Sequence, residues 1–361
     1  MTDAGRAMSQ SFDAIQLRID EALRRLREGG VAAIVDSGRR RGQGSLMVVA
    51  EHADTRAVAK LMELGGGLLV LCLPPERFDA LGLQILQDVG RRGEGAQGFG
   101  TPIQARDHAA AGSSAAARAA TIAAAIAPDA SRDDFVTPGS VFPARAGERG
   151  VLSTRRRIEA AVDLARLAGS ETGAAVLCEL LDPAQEVLRD TQLEASAAAR
   201  GIPLVAVEDV LKYRRLKEPI IDPPVVVKLP TERGSFELAA YYDSAADVTH
   251  VALWSGAAGR PARPASQLRS YVHDACPAGD ALGSCSEGCA TEMDGALRDL
   301  AKGDLDLVVY LGSRDRWRHL LQIEPAGTAK TEDLDRYGVV DRILADFVGG
   351  NTPGSKETDS A

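Results

Sequence analysis

A cluster of prolines separates two blocks of different hydrophobic pattern. Before the stretch EPIIDPPVV, short strand-like runs such as VAAIVD and GLLVLCL alternate with helical stretches such as TRAVAKLMEL, which predicts a mixed α/β domain. After it, VVKLPTERGSFELAAYYD and VTHVALWSG indicate antiparallel strands, followed by a cysteine-bearing loop, a helix, a strand and a last helix. The proline-rich stretch therefore favours a linker between two domains.

The predicted fold class is α/β (α+β) with two domains. We expect the first domain over residues 12–216, a linker over 217–226 and the second domain over 227–348. The polar, glycine-bearing stretch 349–361 predicts a disordered tail. With 361 residues, the chain is long enough for two hydrophobic cores of ordinary size.

The composition narrows the class of protein. Hydrophobic residues make up 45% of the chain and charged residues 26%, as is typical of soluble globular proteins. No apolar run reaches the roughly 18 residues that a membrane span needs, and the start of the chain lacks a basic segment followed by an apolar one. We therefore expect a cytoplasmic protein with no membrane partner. The net charge of −9 is unfavourable for binding a phosphate backbone, so no nucleic-acid partner is expected.

Several phrases connect the two blocks with known families. The first block contains CLPPERFDALGL, DDFVTPGSVFPARA, EAAVDLARLAG and VAVEDVLKYRR, and over residues 12–218 it resembles 3,4-dihydroxy-2-butanone-4-phosphate synthase. The second contains LPTERGSFELAAY, HVALWSG, HDACPAGDALGS and DRYGVVDRIL, and over residues 225–350 it resembles GTP cyclohydrolase II. The chain is thus similar to the bifunctional fusion proteins of riboflavin biosynthesis, and the resemblance implies their two domain folds.

The resemblance implies a metal-assisted synthase site, from which this chain departs. The family holds Mg²⁺ with a glutamate of an acidic loop and a histidine of the next half of the domain. A gap-free alignment puts Arg41, Gln43 and Ser45 at acidic positions of that loop and Arg157 at the histidine. Because a guanidinium carries hydrogen-bond donors and no acceptor, it cannot replace a metal ligand. We therefore do not expect magnesium in this domain.

Other polar residues of the first block remain as candidates for function. Glu179 matches a family glutamate and is the catalytic candidate of this domain. The candidate ligand-binding residues are Asp36, Arg40, Arg118, Arg155 and Arg157. Two interpretations of the arginines stay open, namely a site for a phosphate or carboxylate ligand and a salt-bridged or solvent-facing cluster.

The second block carries a candidate zinc site. The chain has five cysteines, of which Cys72 and Cys178 lie in apolar runs and are expected in the core. The cyclohydrolase family binds zinc with three cysteines, and Cys276 and Cys289 match the first and third of them. Glu287 stands at the middle position, so either Cys285 or Glu287 would complete the site. The alternative is three free thiols on a loop.

The remainder of this block departs further from the cyclohydrolase family. In place of the family's Gly-His-Glu-Gly-Arg-Gly segment, the chain has YLGSRDRWRHLL, with Trp317 at the arginine that the family directs to the α-phosphate. Asp315 is the acidic residue left there and is the second catalytic candidate. Ordinary cyclohydrolase activity is therefore not expected.

These departures lead to three hypotheses about function. The leading one is a divergent paralogue, repurposed to bind or transform another phosphorylated or anionic metabolite, with both standard activities lost. The second is a non-catalytic interaction or regulatory partner of riboflavin enzymes. The third is genuine riboflavin biosynthesis, and a catalytic chain would be a lyase or a cyclohydrolase. The resemblance also implies a homodimer, because the synthase family builds its active sites across a two-fold interface.

Overall fold

The computed structural model describes residues 3–36, 43–86, 98–182, 184, 186–188, 190–218, 221, 224–244, 247–256, 267–281, 283, 289–312 and 339–348. These residues belong to two compact units. One unit comprises Ser11–Tyr213, and the other comprises Met1–Gln10 together with Arg214–Ala361.

The chain of the first unit alternates between helices and strands. The helices are α1 (Asp3–Arg27), α2 (Thr55–Gly65), α3 (Pro75–Ala80), α4 (Ala115–Ile126), α5 (Arg157–Leu167), α6 (Asp190–Ala199) and α7 (Val207–Lys217), of which α1 and α7 continue into the second unit. The strands are β1 (Ala32–Val35), β2 (Gly44–Val49), β3 (Gly66–Leu73), β4 (Ile103–Ala105), β5 (Phe135–Arg145), β6 (Ala175–Leu180) and β7 (Leu204–Ala206). Short 3₁₀ turns lie between several of them.

The strands of the first unit form one mixed seven-stranded sheet. Its order is β4-β5-β3-β6-β2-β1-β7. β2 pairs antiparallel with both β1 and β6, while β1 pairs parallel with β7 and β3 pairs parallel with β5. As a result, the end of β1, the start of β2 and the end of β6 meet at one edge of the sheet.

Helices cover both faces of this sheet. On one face, α2 and α4 contribute Val58, Leu61 and Ile122 to a buried cluster with strand residues such as Leu71 and Val176. α5 packs against β1, β2, β3 and β6 and buries most of its length. Since neighbouring residues of a strand face opposite sides, the strand residues beneath α5 belong to the second face.

Local capping sets the ends of α2. The carboxylate of Asp54 accepts a hydrogen bond from the backbone N–H of Ala57 at 2.7 Å, which satisfies a donor that the first turn leaves without a helical partner. The helix ends where Gly66 adopts a left-handed conformation with φ of 84°. Glycine takes this conformation without the steric cost of a Cβ, so the chain turns directly into β3.

The second unit is built on a smaller, five-stranded sheet. Its strands are β8 (Val225–Thr231), β9 (Gly234–Asp243), β10 (Val248–Ser255), β11 (Ser270–Asp274) and β12 (Leu307–Leu311), in the order β11-β12-β10-β9-β8. All neighbouring pairs are antiparallel except β11 and β12. The helices are α8 (Pro277–Asp280), α9 (Cys289–Lys302) and α10 (Val339–Val348).

Each long helix of the second unit contributes to a hydrophobic contact. Ala296 and Leu300 of α9 pack with Phe236, Leu253 and Val308 of the sheet. From α10, the ring of Phe347 meets that of Trp254 edge to face, with 5.0 Å between centroids. β10 therefore supplies residues to both contacts.

The predicted two-domain α/β fold is confirmed. Cys72 and Cys178 are buried, as predicted. α7 ends at Lys217 and β8 begins at Val225, while the predicted tail 349–361 lies outside the described residues. Within the described residues, no helix is both long and apolar enough to cross a membrane.

Candidate functional site

Side chains from four segments gather at the sheet edge where β1 ends. Asp36 directly follows β1, Gln43 precedes β2, and Ser45 of β2 pairs in register with Glu179 of β6. Because side chains alternate between the faces of a strand, Ser45 and Glu179 belong to the face opposite the α2–α4 cluster. Arg157 begins α5 on that same face.

The guanidinium of Arg157 is the centre of this group. Its Nε lies 3.0 Å from Asp36 Oδ2, and its Nη1 donates a hydrogen bond of 2.7 Å to Ser45 Oγ. Its Nη2 donates to Gln43 Oε1 at 3.4 Å and lies 3.8 Å from Glu179 Oε1. All three guanidinium nitrogens therefore face oxygen atoms, and the side chain joins the ends of β1, β2 and β6.

The two carboxylates of this group differ in exposure. The side chains of Asp36 and Arg157 are each 15% exposed, whereas that of Glu179 is 38% exposed. A partly buried ion pair is screened less by salt than a surface pair. Asp36 is therefore held closely by Arg157, and Glu179 is the more accessible carboxylate.

Two buried acids of α5 organise the loop that leads to Arg157. Glu159 is fully buried and accepts hydrogen bonds from Arg156 Nη2 at 2.7 Å and from the backbone N–H of Gly147 at 3.2 Å. Asp163 accepts from the backbone N–H of Val151 at 2.8 Å. These carboxylates connect the helix to the turn before it, and so they fix where α5 begins.

Sequence reasoning missed both of these acids. They stand four positions apart in EAAVDLARLAG, a stretch that is otherwise mostly apolar and that becomes a buried helix. A carboxylate on a buried helical face needs hydrogen-bond partners, and that need was the available signal. Gly150 supports the same arrangement, because it has a φ of 58° and a Cβ there would collide with the carboxylate of Asp163.

The structure does not bring all the arginine candidates together. Arg118 lies in α4, and no hydrogen bond or ion pair among the described residues joins it to Arg157. Arg155 lies partly buried in the turn before α5, two positions from Arg157. Arg40 lies outside the described residues.

The buried thiols near this site are poor nucleophiles. Burial raises the pKa of Cys178 to about 11, and the negative charge of Glu179 adds to the rise while Arg118 opposes it. Burial also raises the pKa of Cys72, with a smaller contribution from Glu159 in the same direction. Since the thiolate is the reactive form, both cysteines have a structural role in the core.

A second polar group lies in the other unit, around Asp280. One carboxylate oxygen of Asp280 is 2.9 Å from His273 Nε2, and the other accepts from Tyr310 Oη at 2.9 Å and from the backbone N–H of Cys276 at 2.7 Å. The rings of His273 and Tyr310 stack with centroids 5.5 Å apart. Asp280 therefore fixes the turn that carries Cys276.

Sequence reasoning singled out Cys276 and missed Asp280 and Tyr310. Cys276 is buried at the end of this network. The other candidates of this unit, Cys285, Glu287 and Asp315, lie outside the described residues, as does the side chain of Cys289 at the start of α9. Among the described residues, no group of three or more potential metal ligands is found. The zinc site stays a prediction.

Comparison with known proteins identifies both units. The family model of 3,4-dihydroxy-2-butanone 4-phosphate synthase matches residues 20–213, and that of GTP cyclohydrolase II matches residues 224–348. A riboflavin biosynthesis protein RibBA of Aquifex aeolicus is 32% identical over 295 residues, which cover 81% of this chain and 71% of that protein. The chain belongs to the RibBA family.

Other relatives agree with this assignment. RibBA of Mycobacterium tuberculosis strain H37Rv is 30% identical over 347 residues, covering 91% of this chain and 81% of that protein. Among solved structures, RibBX, a two-domain 3,4-dihydroxy-2-butanone 4-phosphate synthase from A. baumannii, shares 28% identity with a TM-score of 0.69 and covers 91% of this chain and 90% of its own. The similarity to RibBA-type proteins thus spans both units.

These comparisons correct the leading hypothesis about function. A repurposed paralogue with both standard activities lost was expected, because the aligned metal-site residues had changed. That hypothesis is wrong, since relatives named as riboflavin biosynthesis proteins match at 30% identity or more over most of the chain. The changes at Arg41, Gln43, Ser45 and Arg157 are local, whereas the pattern that both family models match extends over residues 20–213 and 224–348.

The expectation about magnesium is also not supported. The crystal structure of a 3,4-dihydroxy-2-butanone 4-phosphate synthase in complex with two magnesium ions shares 28% identity with this chain, with a TM-score of 0.50, and covers 55% of this chain and 97% of its own. In the present chain, however, the described carboxylates Asp36 and Glu179 both face the guanidinium of Arg157. A divalent cation held jointly by Asp36 and Glu179 would therefore have to displace the guanidinium from between them.

Proposed function

We propose that the chain is a bifunctional enzyme of riboflavin biosynthesis. The single observation that carries the proposal is the tandem match of both family models in one chain, which RibBA relatives match over most of its length. The proposed reaction of the first unit converts ribulose 5-phosphate to the four-carbon phosphate and formate. The proposed reaction of the second unit opens the imidazole ring of the guanine of GTP. Both substrates are phosphorylated small molecules, as expected for this family.

In the first unit, the roles are assigned from the charges around Arg157. Glu179 is proposed as the group that accepts a proton from the substrate, because it is the more exposed of the two carboxylates. Asp36 and Arg157 hold each other and are proposed to orient the bound sugar. Arg40, Arg118 and Arg155 remain proposed contacts for the phosphate.

In the second unit, the donor set suits zinc. Thiolates are preferred zinc ligands, and Cys276 is buried with its backbone held by Asp280. Cys276, Cys289 and either Cys285 or Glu287 would hold the ion. Zinc, when bound with an open position, supplies a Lewis acid that activates water. Asp315 is the proposed acid–base residue of this unit.

The test is a direct assay of the full chain with each substrate. We expect formate from ribulose 5-phosphate, and a loss of rate of about 100-fold or more in Glu179→Gln, as is typical when a general base is removed. The matched control is Glu63→Gln, which changes an exposed residue near the end of α2. Absence of formate above background with any divalent cation would contradict the proposed synthase reaction.

A zinc measurement tests the second unit separately. The purified chain should carry about one zinc ion, and Cys276→Ser or Cys289→Ser should lose it. Consumption of GTP should fall with the zinc content. Zinc-free protein that still consumes GTP would contradict the assigned ligands.

A second candidate function is the synthase reaction alone. The specific observation in its favour is that the structurally similar RibBX is described as a two-domain 3,4-dihydroxy-2-butanone 4-phosphate synthase. Under this candidate, formate is produced from ribulose 5-phosphate and GTP is not consumed. The two assays above therefore separate the two candidates.

We also propose a homodimer, as the resemblance to the synthase family implies. α4 carries many alanines, and small residues permit close helix packing. A dimer mass by light scattering at micromolar concentration is expected, and a monomer mass would contradict it.

A further inference from the structure

We infer that the guanidinium of Arg157 is a built-in cation that takes the place of a divalent metal ion in the first unit. This inference rests on the proposed synthase function, and its evidence is the geometry of the described residues. It concerns Asp36 and Glu179, the two carboxylates that meet at the end of the sheet.

The contacts of Arg157 are those that a bound cation would make. Oxygen atoms reach it from three strand ends: Asp36 after β1, Ser45 in β2 and Glu179 in β6. Gln43 adds an amide oxygen at 3.4 Å. Carboxylate, hydroxyl and amide oxygens are also ligands of hard cations, so the guanidinium and a metal ion would compete for one set of partners.

Arg157 is fixed in this position by the helix that carries it. It is the first residue of α5, which is buried along most of its length and attached to the preceding turn by Glu159 and Asp163. The side chain itself is only 15% exposed. If an ion displaced the guanidinium, the positive charge of Arg157 would lose its oxygen partners while still mostly buried. Such a loss is strongly destabilising, as when one partner of a buried ion pair is removed.

The positive charge at this place is covalently attached to the chain. An arginine stays protonated under all ordinary conditions, so the site keeps one positive charge between its two carboxylates. A divalent ion bound in solution is lost to chelators, whereas a covalently attached guanidinium is not. The inference therefore predicts that Asp36 and Glu179 hold no divalent cation together in the wild-type chain.

The test measures metal binding directly, using Mn²⁺ as a probe for hard cations. Bound zinc and adventitious metal are first removed from the full chain with a chelator. Mn²⁺ binding is then followed by electron paramagnetic resonance. The wild-type chain is expected to show no Mn²⁺ site that is sensitive to Asp36→Asn. Arg157→His removes the guanidinium and adds a ligand, so it should create a Mn²⁺ site and raise the Mn²⁺ bound at a fixed low concentration by about 10-fold or more.

Three variants make the result specific. The double change Asp36→Asn with Arg157→His should lose the gained Mn²⁺ site, because one carboxylate ligand is gone. Arg157→Lys keeps the positive charge and should gain no Mn²⁺. Arg166→Gln is the matched control: it changes an arginine of the same helix whose ion pair is with Glu76, at 2.7 Å and mostly in solvent, and it should leave Mn²⁺ binding unchanged.

The outcomes decide the inference without reference to turnover. A Mn²⁺ site in the wild-type chain that disappears in Asp36→Asn would overturn it. So would a folded Arg157→His variant, with wild-type circular dichroism, that binds Mn²⁺ no better than the wild type. If the chain produces no formate under any condition, the proposed function fails, but the Mn²⁺ measurements still decide whether Arg157 occupies the place of the ion.

Discussion

The carboxylates of the two polar groups have different kinds of partners. In the first unit, Asp36 and Glu179 face the permanent charge of Arg157. In the second unit, Asp280 is surrounded by a ring nitrogen, a phenol hydroxyl and a backbone N–H. The first group thus combines hydrogen bonds with ion pairs to an arginine, whereas neutral hydroxyl and backbone donors contribute to the second.

The difference also concerns how the residues reach one another. Arg157 and Ser45 are 112 positions apart in the chain, so their contact depends on the assembled sheet and α5. His273, Cys276 and Asp280 lie within one strand and the following turn, and Tyr310 comes from the neighbouring strand β12. We therefore expect the first group to be more sensitive to a change that disturbs helix packing.

The largest expected effect comes from breaking the buried ion pair beneath the first group. Glu159→Ala removes a fully buried carboxylate and leaves the cation of Arg156 without it. We expect the free energy of unfolding of the first unit to fall by about 3–5 kcal/mol, as is typical when one partner of a buried pair is lost. The measurement is urea unfolding followed by circular dichroism.

The control for that change is an acid at the surface. Glu148→Ala removes a carboxylate that is 70% exposed and pairs with Arg145. The expected loss is at most about 1 kcal/mol, because solvent screens such pairs. Equal losses for the two variants would show that burial of Glu159 has no special part in stability.

The second largest effect tests the hydrogen-bonded group of the other unit. Asp280→Ala leaves His273, Tyr310 and the Cys276 N–H without their shared acceptor. A loss of about 1–3 kcal/mol in the unfolding of this unit is expected from unsatisfied buried donors. Tryptophan fluorescence reports on it selectively, because both tryptophans of the chain, Trp254 and Trp317, belong to the second unit.

An exposed acid of the same unit provides the comparison. Asp304→Ala changes a residue in the turn after α9 and should leave the fluorescence transition unchanged. If Asp280→Ala also had no effect, the hydrogen-bonded group would have no part in holding this unit. Only the polar group of the first unit would then contribute to stability.

A smaller effect concerns how the stability of the first unit depends on pH. Burial raises the pKa of Glu51, but hydrogen bonds from Ser170 and Thr172 together lower it below its usual value. A lowered pKa means that Glu51 stabilises the first unit above the unfolded-state value of about 4.3, and that this contribution is lost as the pH falls through the folded-state pKa.

The check is acid unfolding of the Glu51→Gln variant. It should be less stable than the wild type near pH 6, and the difference should shrink as the pH is lowered from 5 toward 3. The second unit should follow the same acid transition in both proteins. A constant difference across this range would contradict the assigned role of the charge.

The smallest expected effect is at the exposed end of α5. Arg166→Gln breaks an ion pair with Glu76 in which the two side chains are 40% and 69% exposed. The free energy of unfolding should change by less than about 1 kcal/mol, because surface pairs contribute little. The measurement is a urea titration. A larger fall in the free energy of unfolding would show that an exposed ion pair of α5 contributes as much to stability as a buried one.

The sequence alone was enough to predict two α/β domains and their families. The strand-like runs, the helical stretches and the proline-rich stretch are local patterns, and local patterns follow directly from side-chain size, polarity and backbone preference. The family phrases are likewise continuous in the chain. For the same reason, the burial of Cys72 and Cys178 could be predicted from their apolar neighbours.

Only the tertiary structure decided what the charged residues contact. The sequence presented Arg157 as a lost metal ligand and left open whether it meets an anion or a carboxylate. Its ion pairs with Asp36 and Glu179 depend on the register between β2 and β6 and on the face that α5 covers. Such contacts between distant segments form only when the chain is packed, and so the linear order of residues does not reveal them.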